Sequence, residues 1–325
     1  MPVNFGSTDG SSNANRHCCQ MRSDSVGEAG AVVDMATMMV DRTPVRNHPP
    51  TVRRSSARRV SPVPARIETV ETADDPRLAD YVGLRDRKES DEFLIAETAT
   101  VIERLVTSGL RIRSFLLTTK AFGRLAEVLE AVDAPVYLAD PEIMEQVTGY
   151  DVHRGVLASA QRPKMPGLLD VIVKSKRLVV LEGSNDHENI GAIARSARAL
   201  GFDAMVLSPN CADPYYRRCI RVSMGEILHL PITRCGLWPD GLEWIKRQGF
   251  ETWALTPDAS ADSLFTMGMP DKLALIAGAE GDGLTAAALA AAQHRVRIPM
   301  HHGVDSLNVS HALAIAMAAT SPPAA

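Results

Sequence analysis

Three short stretches crowd polar side chains and glycines together, each at the end of an apolar run: "EGSNDHENIGAIARSARALG" (182–201), "GAEGDG" (278–283) and "IPMHHGVDSLN" (298–308). The first carries Asn189 and Arg195, an amide that donates and accepts and a guanidinium that only donates. The second carries Glu280, and the third Ser306 and Asn308 with His301 and His302 beside them. Metal chemistry fits poorly. Adjacent histidines on an extended segment point apart, and no cysteine or carboxylate completes a ligand set at familiar spacing. Ser306 with His311 could be a nucleophile and a base, but no GxSxG turn presents the serine. The glycines of 183–191 are too widely spaced for a dinucleotide fingerprint, and "GAEGDG" has no acid placed downstream to hold a ribose. Asn189 and Arg195 are six residues apart, about 240° around an ideal helix, so they share a site only if the first turn is irregular. "RRCIRVSMGEILHLP" (217–231) adds Arg217, Arg218 and Arg221 near the start of a helix-like segment, where phosphate contact is the functional reading and a charged helix face the plain one.

What must position these residues is an alternation of strands and helices. Strands are predicted at 177–183, 204–209, 231–235, 251–257, 273–279 and 294–300, with helices at 189–200, 213–227, 239–248, 283–292 and 306–319. Such alternation points to a parallel sheet covered on both faces, whose ligands bind beyond the carboxyl ends of the strands. All three polar clusters fall at such ends. Residues 66–162 read as a smaller α/β unit. A helix is predicted across 91–109 from Leu94, Ile95, Val101, Ile102, Leu105 and Val106. Strands follow at 111–119, 135–140 and 155–161, with helices at 121–132 and 141–147. Residues 161–167 form a linker.

The chain has 325 residues and a net charge of −4, so any affinity for nucleic acid has to come from a local basic patch. Residues 1–65 differ from the rest: from Arg42 to Arg66 there are seven arginines and no acid, which predicts a disordered basic leader. Five cysteines without a CxxC pair suggest free thiols in a reducing, cytoplasmic compartment. No stretch reaches the ~18 apolar residues of a membrane span.

Taken in order, "NIGAIARSARALGFDAMVL" (189–207), "RVSMGEILHLPI" (221–232) and "LIAGAEGDGL…VRIPMHHGVDSLNVSHALAIAM" (275–317) resemble the three motifs of the SpoU (TrmH-like) branch of SPOUT RNA methyltransferases. The segment 91–161 is more loosely similar to that family's accessory RNA-binding domain. The resemblance implies an α/β SPOUT fold with a C-terminal trefoil knot over residues 163–325, preceded by a small L30e-like α/β RNA-binding domain over 66–162. Sequence-level topology rules argue against knots, so that feature comes from the resemblance alone. The implied activity is S-adenosyl-L-methionine-dependent 2′-O-ribose methylation of structured RNA by a homodimer, with no metal. By the same resemblance, Asn189, Arg195, Glu280, Ser306 and Asn308 form the catalytic set. Gly278, Ile298, Met300 and Leu307 hold the donor, and Arg221 and Ser223 face the RNA. The accessory domain favours ribosomal RNA of the large subunit. Transfer RNA, or a non-catalytic RNA-binding protein of the same fold, are the alternatives. Glu226, where many relatives carry a small residue, leaves the lining of the pocket near the middle motif open.

Overall fold

The computed structural model describes residues 66–87 and 90–321. The leader expected over 1–65 lies outside the described residues.

The first sheet comprises β1 (Ile67–Thr69), β2 (Phe93–Glu97), β3 (Ile112–Leu117), β4 (Val136–Leu138) and β5 (Val156–Gln161), with helices α1 (Ala99–Thr107), α2 (Thr119–Leu129) and α3 (Pro141–Thr148) between them. Its order is β1-β4-β3-β5-β2, with β5 antiparallel to both β2 and β3. Leu94, Ala96, Phe115 and Leu117 face one core, and Ile95, Leu116 and Leu157 face another. This period-two division corrects the single helix expected over 91–109. Leu94, Ile95 and Ala96 are all buried, which a strand covered on both faces achieves and a one-sided helix does not. The chain turns from strand to helix at Thr98, whose φ is 80°.

Beyond the linker come α4 (Leu168–Ile172), β6 (Arg177–Leu181), α5 (His187–Ala199), β7 (Ala204–Leu207), α6 (Arg217–Val222), β8 (Ile232–Arg234), α7 (Gly241–Arg247), β9 (Glu251–Leu255), β10 (Asp262–Ser263), β11 (Leu273–Ala277), α8 (Ala286–Ala291), β12 (His294–Arg297) and α9 (Val309–Ala319). The seven strands are parallel in the order β10-β12-β9-β11-β6-β7-β8. Leu178, Val180, Ala204, Val206, Ala274 and Ile276 face α4, α7 and the end of α8. Val179, Leu181, Met205, Leu207, Leu273 and Leu275 face α5, α6 and α9. The six strands expected from their apolar runs are all present. Of the predicted helices, 213–227 is cut short: α6 stops at Val222, and Met224 and Gly225 take φ of 56° and 87°. Gly225 suits its φ of 87°, which side chains rarely adopt, and a Cβ there would stand a tight 3.1 Å from Cβ of Arg104 on α1.

That close approach is one of several ties between the elements around the two sheets. Asp213 takes both terminal nitrogens of Arg162, at 2.6 and 2.5 Å. The buried Glu97 accepts from Arg217 at 3.0 Å and from the Tyr150 hydroxyl at 2.9 Å. Arg104 pairs with Glu226 at 2.9 Å. Glu226, which also lies 3.7 Å from Arg198, therefore belongs to the junction with α1 and not to the pocket lining.

Candidate active site

The strand order reverses between β6 and β11, which are neighbours although distant in sequence. Parallel α/β sheets open a crevice at such a switch point. The polar residues gather there. Asn189, in the first turn of α5 after β6, donates through Nδ2 to Oε2 of Glu280, just past β11, at 2.9 Å. Its Oδ1 accepts from Nδ2 of Asn308 at 3.0 Å, across a separation of 119 residues. Asn308 caps α9: its Oδ1 accepts from the amide of Ser310 at 2.9 Å and from that residue's hydroxyl at 2.6 Å. Three elements are thus pinned by one string of side-chain amides ending on a carboxylate.

Beside the string lies a pocket of about 230 Å³. Leu255, Ala277, Val296, Ile298, Leu307 and Val309 give it apolar walls, and Gly278, Glu280, Met300, Ser306 and Asn308 are among its other lining residues. An apolar cleft with a few placed polar groups is the usual form of a small-molecule site. The main-chain amides of Gly278, Ile298, Met300 and Leu307, four of its lining residues, make no hydrogen bond among the described residues. The loop 279–283 folds back on itself, with the amide of Gly283 donating to the carbonyl of Ala279 at 3.0 Å. Only glycine fits at 278, because a Cβ would lie 2.0 Å from the carbonyl carbon of Gly283. These residues suit an adenosyl group, whose base needs apolar walls and main-chain partners.

Of the sequence-predicted catalytic set, Asn189, Glu280 and Asn308 are joined, and Ser306 lies exposed on the pocket rim. Arg195 is set apart. Helix α5 is regular from residue 187, so Arg195 leaves on another face, exposed and without a hydrogen bond or ion pair among the described residues. Arg221 is exposed, 3.8 Å from Glu97. Ser223 does not face outward as expected. It is fully buried, and its hydroxyl donates to the carbonyl of Ile220 at 3.0 Å, holding the turn that ends α6. Cys211, Cys219 and Cys235 are buried and form no disulfide among the described residues. Sequence reasoning overlooked Leu255 and Thr256, although the end of a strand at the same sheet edge was the available signal. It also overlooked Glu182, a buried carboxylate immediately after β6.

Residues 176–318 match the model of the SpoU rRNA Methylase family. An uncharacterized tRNA/rRNA methyltransferase of Mycobacterium tuberculosis is 41% identical over 259 residues, covering 77% of this chain and 90% of its own. The chain belongs to the SpoU methylase family. A second relative, the 23S rRNA (guanosine(2553)-2′-O)-methyltransferase RlmP of Bacillus subtilis, is 25% identical over 77% of this chain and 97% of its own. Among solved structures, the AdoMet-bound rRNA methyltransferase from Sinorhizobium meliloti superposes with a TM-score of 0.68 over 78% of this chain and 97% of its own, at 23% identity. The first and third SpoU-like segments, 189–207 and 275–317, supply the Asn189, Glu280 and Asn308 of the β6–β11 crevice, while the middle one, 221–232, packs at the junction with α1.

Proposed function

We propose that this SpoU methylase transfers a methyl group from S-adenosyl-L-methionine to a ribose 2′-hydroxyl of ribosomal RNA. The reading is carried by the Glu280–Asn189–Asn308 string standing beside an apolar pocket with unused main-chain amides. Gly278, Ile298, Met300 and Leu307 hold the donor, which supplies an already activated sulfonium methyl. The ribose oxygen would take the methyl as the methyl–sulfur bond breaks and S-adenosylhomocysteine leaves, with the hydroxyl proton passing to water, so the protein's own task is positioning. Asn189, fixed at both ends, gives the ribose a rigid polar shelf, and Ser306 and Asn308 border it. Arg195 orients the substrate hydroxyl and a neighbouring phosphate. Because Arg195 and Asn189 leave α5 on different faces, they act together only if RNA wraps the helix or a second copy closes the mouth.

We take the assembly to be a homodimer. Helix α9 is almost wholly apolar, yet His311, Ile315, Ala318 and Ala319 are exposed, a face suited to a partner. Sedimentation equilibrium at micromolar concentration should return twice the chain mass; a monomer counts against it. The C-terminal segment, bound back to α5 through Asn308, is read as the threaded end of a trefoil knot. Pulling residues 163 and 321 apart should stop short of full extension, and full extension removes the knot.

The accessory unit supplies the RNA platform. A groove of about 1100 Å³ that runs past the linker is lined by Arg77, Arg111, Arg113, Arg162, Lys164 and, from β8, Arg234, with Asp80, Asp91, Glu92 and Asp133 among them. Arg77, Arg113 and Arg162 are ion-paired, which leaves Arg111 and Lys164 among the cations without an ion pair in the described residues. Reversing Arg111 and Lys164 to Glu should weaken RNA binding and leave donor binding unchanged.

The decisive experiment maps ribose 2′-O-methylation across total RNA with and without the gene. Loss at one ribosomal position is expected. Loss in transfer RNA instead shifts the substrate, and no change anywhere overturns the enzymatic reading. In vitro, Arg195→Ala should abolish transfer while RNA affinity persists; unchanged transfer removes Arg195 from its role.

A further inference from the structure

Glu182 stands immediately after β6 and is 4% exposed. Its amide donates to the carbonyl of Ala277 at 2.9 Å, where the chain leaves β11 for the 278–284 loop. Its carboxylate reaches the far end of the same loop. Oε2 accepts from the Thr285 amide at 2.9 Å, and Oε1 from the Thr285 hydroxyl at 2.8 Å. A third donor, the Trp238 indole N–H, lies 2.5 Å from Oε1. The Thr285 hydroxyl in turn accepts from the Ala288 amide at 3.2 Å and so caps α8. One residue therefore grips both ends of the loop that carries Gly278 and Glu280 to the pocket.

We propose that Glu182 is a positioning residue for methyl-donor binding: it fixes the span and tilt of the 278–284 loop and is read out through Trp238. The proposal rests on the donor reading above. Both carboxylate oxygens are acceptors and all three partners donate, so glutamine cannot replace glutamate: its amide nitrogen would meet another donor. Aspartate is one carbon too short to reach Thr285 while its own amide stays on Ala277.

The test is calorimetric titration of S-adenosyl-L-methionine into the full-length protein, paired with tryptophan emission. Wild type should bind, and its emission should change on titration; Trp238→Phe should remove that change. Glu182→Gln should weaken donor binding about tenfold or more, since a buried hydrogen-bonding group is left unmet, with RNA affinity unaltered. Should Glu182→Gln fail to fold, Thr285→Val, which keeps Glu182, should still weaken the donor. Thr285→Ser, which keeps both donors, should restore it. Equal donor affinity in wild type and the Glu182→Gln or Thr285→Val proteins overturns the positioning role while leaving the donor reading intact. Absence of donor binding by wild type itself overturns both.

Discussion

At the level of single residues, Asn189 decides the character of the site. Glu280 can only accept and the Asn308 amide nitrogen can only donate, so one orientation of the Asn189 amide satisfies both. Asn189→Asp is almost isosteric but sets a carboxylate against Glu280 and removes a donor. We predict that methyl transfer falls about tenfold to a hundredfold, the usual cost of ~1–3 kcal/mol for an unmet buried partner. Adding Glu280→Gln returns a donor to that gap and should recover part of the loss in single-turnover assays. A double variant no better than Asn189→Asp would show that the contact is incidental. The clusters that hold Glu280, Asn189 and Asn308 were readable at strand ends, but their joining was not, because nothing in local spacing announces a contact across 119 residues. The separation of Arg195 from Asn189, by contrast, followed from helix geometry alone and is seen in α5.

At the level of elements, the two sheets are held by side chains that leave little room for water. The Arg162 and Asp213 side chains are 17% and 8% exposed, and the Arg162 guanidinium lies 5.2 Å from the centre of the Tyr215 ring. Arg162→Met strands a largely buried carboxylate. The loss should approach ~3 kcal/mol, visible as a lowered midpoint in urea at unchanged slope. Burial pushes the Tyr215 hydroxyl up to about 12, with Arg162 opposing the shift. A tyrosine whose folded value is raised gives its stabilisation in full below the ordinary value near 10 and loses it as pH climbs toward 12. Ultraviolet titration of folded protein should therefore show this phenol ionising late, and Tyr215→Phe should flatten the fall in stability over that window. Element legibility divided along similar lines. The central strands of the large sheet are continuous apolar runs and were plain. Residues 91–109 misled because Leu94, Ile95, Val101, Ile102, Leu105 and Val106 fit helical spacing, while the feature that makes 93–97 a strand, burial of both faces, is imposed by β5 and the elements packed over it. The break after α6 was equally hidden, since the left-handed turn at Met224 and Gly225 sits against α1, which is distant in sequence.

For the molecule as a whole, one apolar core runs from Leu94, Phe115 and Leu125 through Ile220 and Ile227 to Leu275 and Met317, without a boundary at the linker. We predict a single unfolding transition, with far-ultraviolet dichroism, tryptophan emission and calorimetry coincident. Two separated transitions would mean that the accessory unit melts independently of the catalytic sheet. The charges along the junction carry a further consequence. From the accessory side come Arg162, Glu97 and Arg104; from the catalytic side, in matching positions, come Asp213, Arg217 and Glu226. Plus, minus, plus meets minus, plus, minus. Such a pattern acts as a lock that admits only its own key. A front half grafted from a relative with a different order of charges would meet at least one like-signed pair, so shuffling of these halves between lineages has to carry both sides of the lock together.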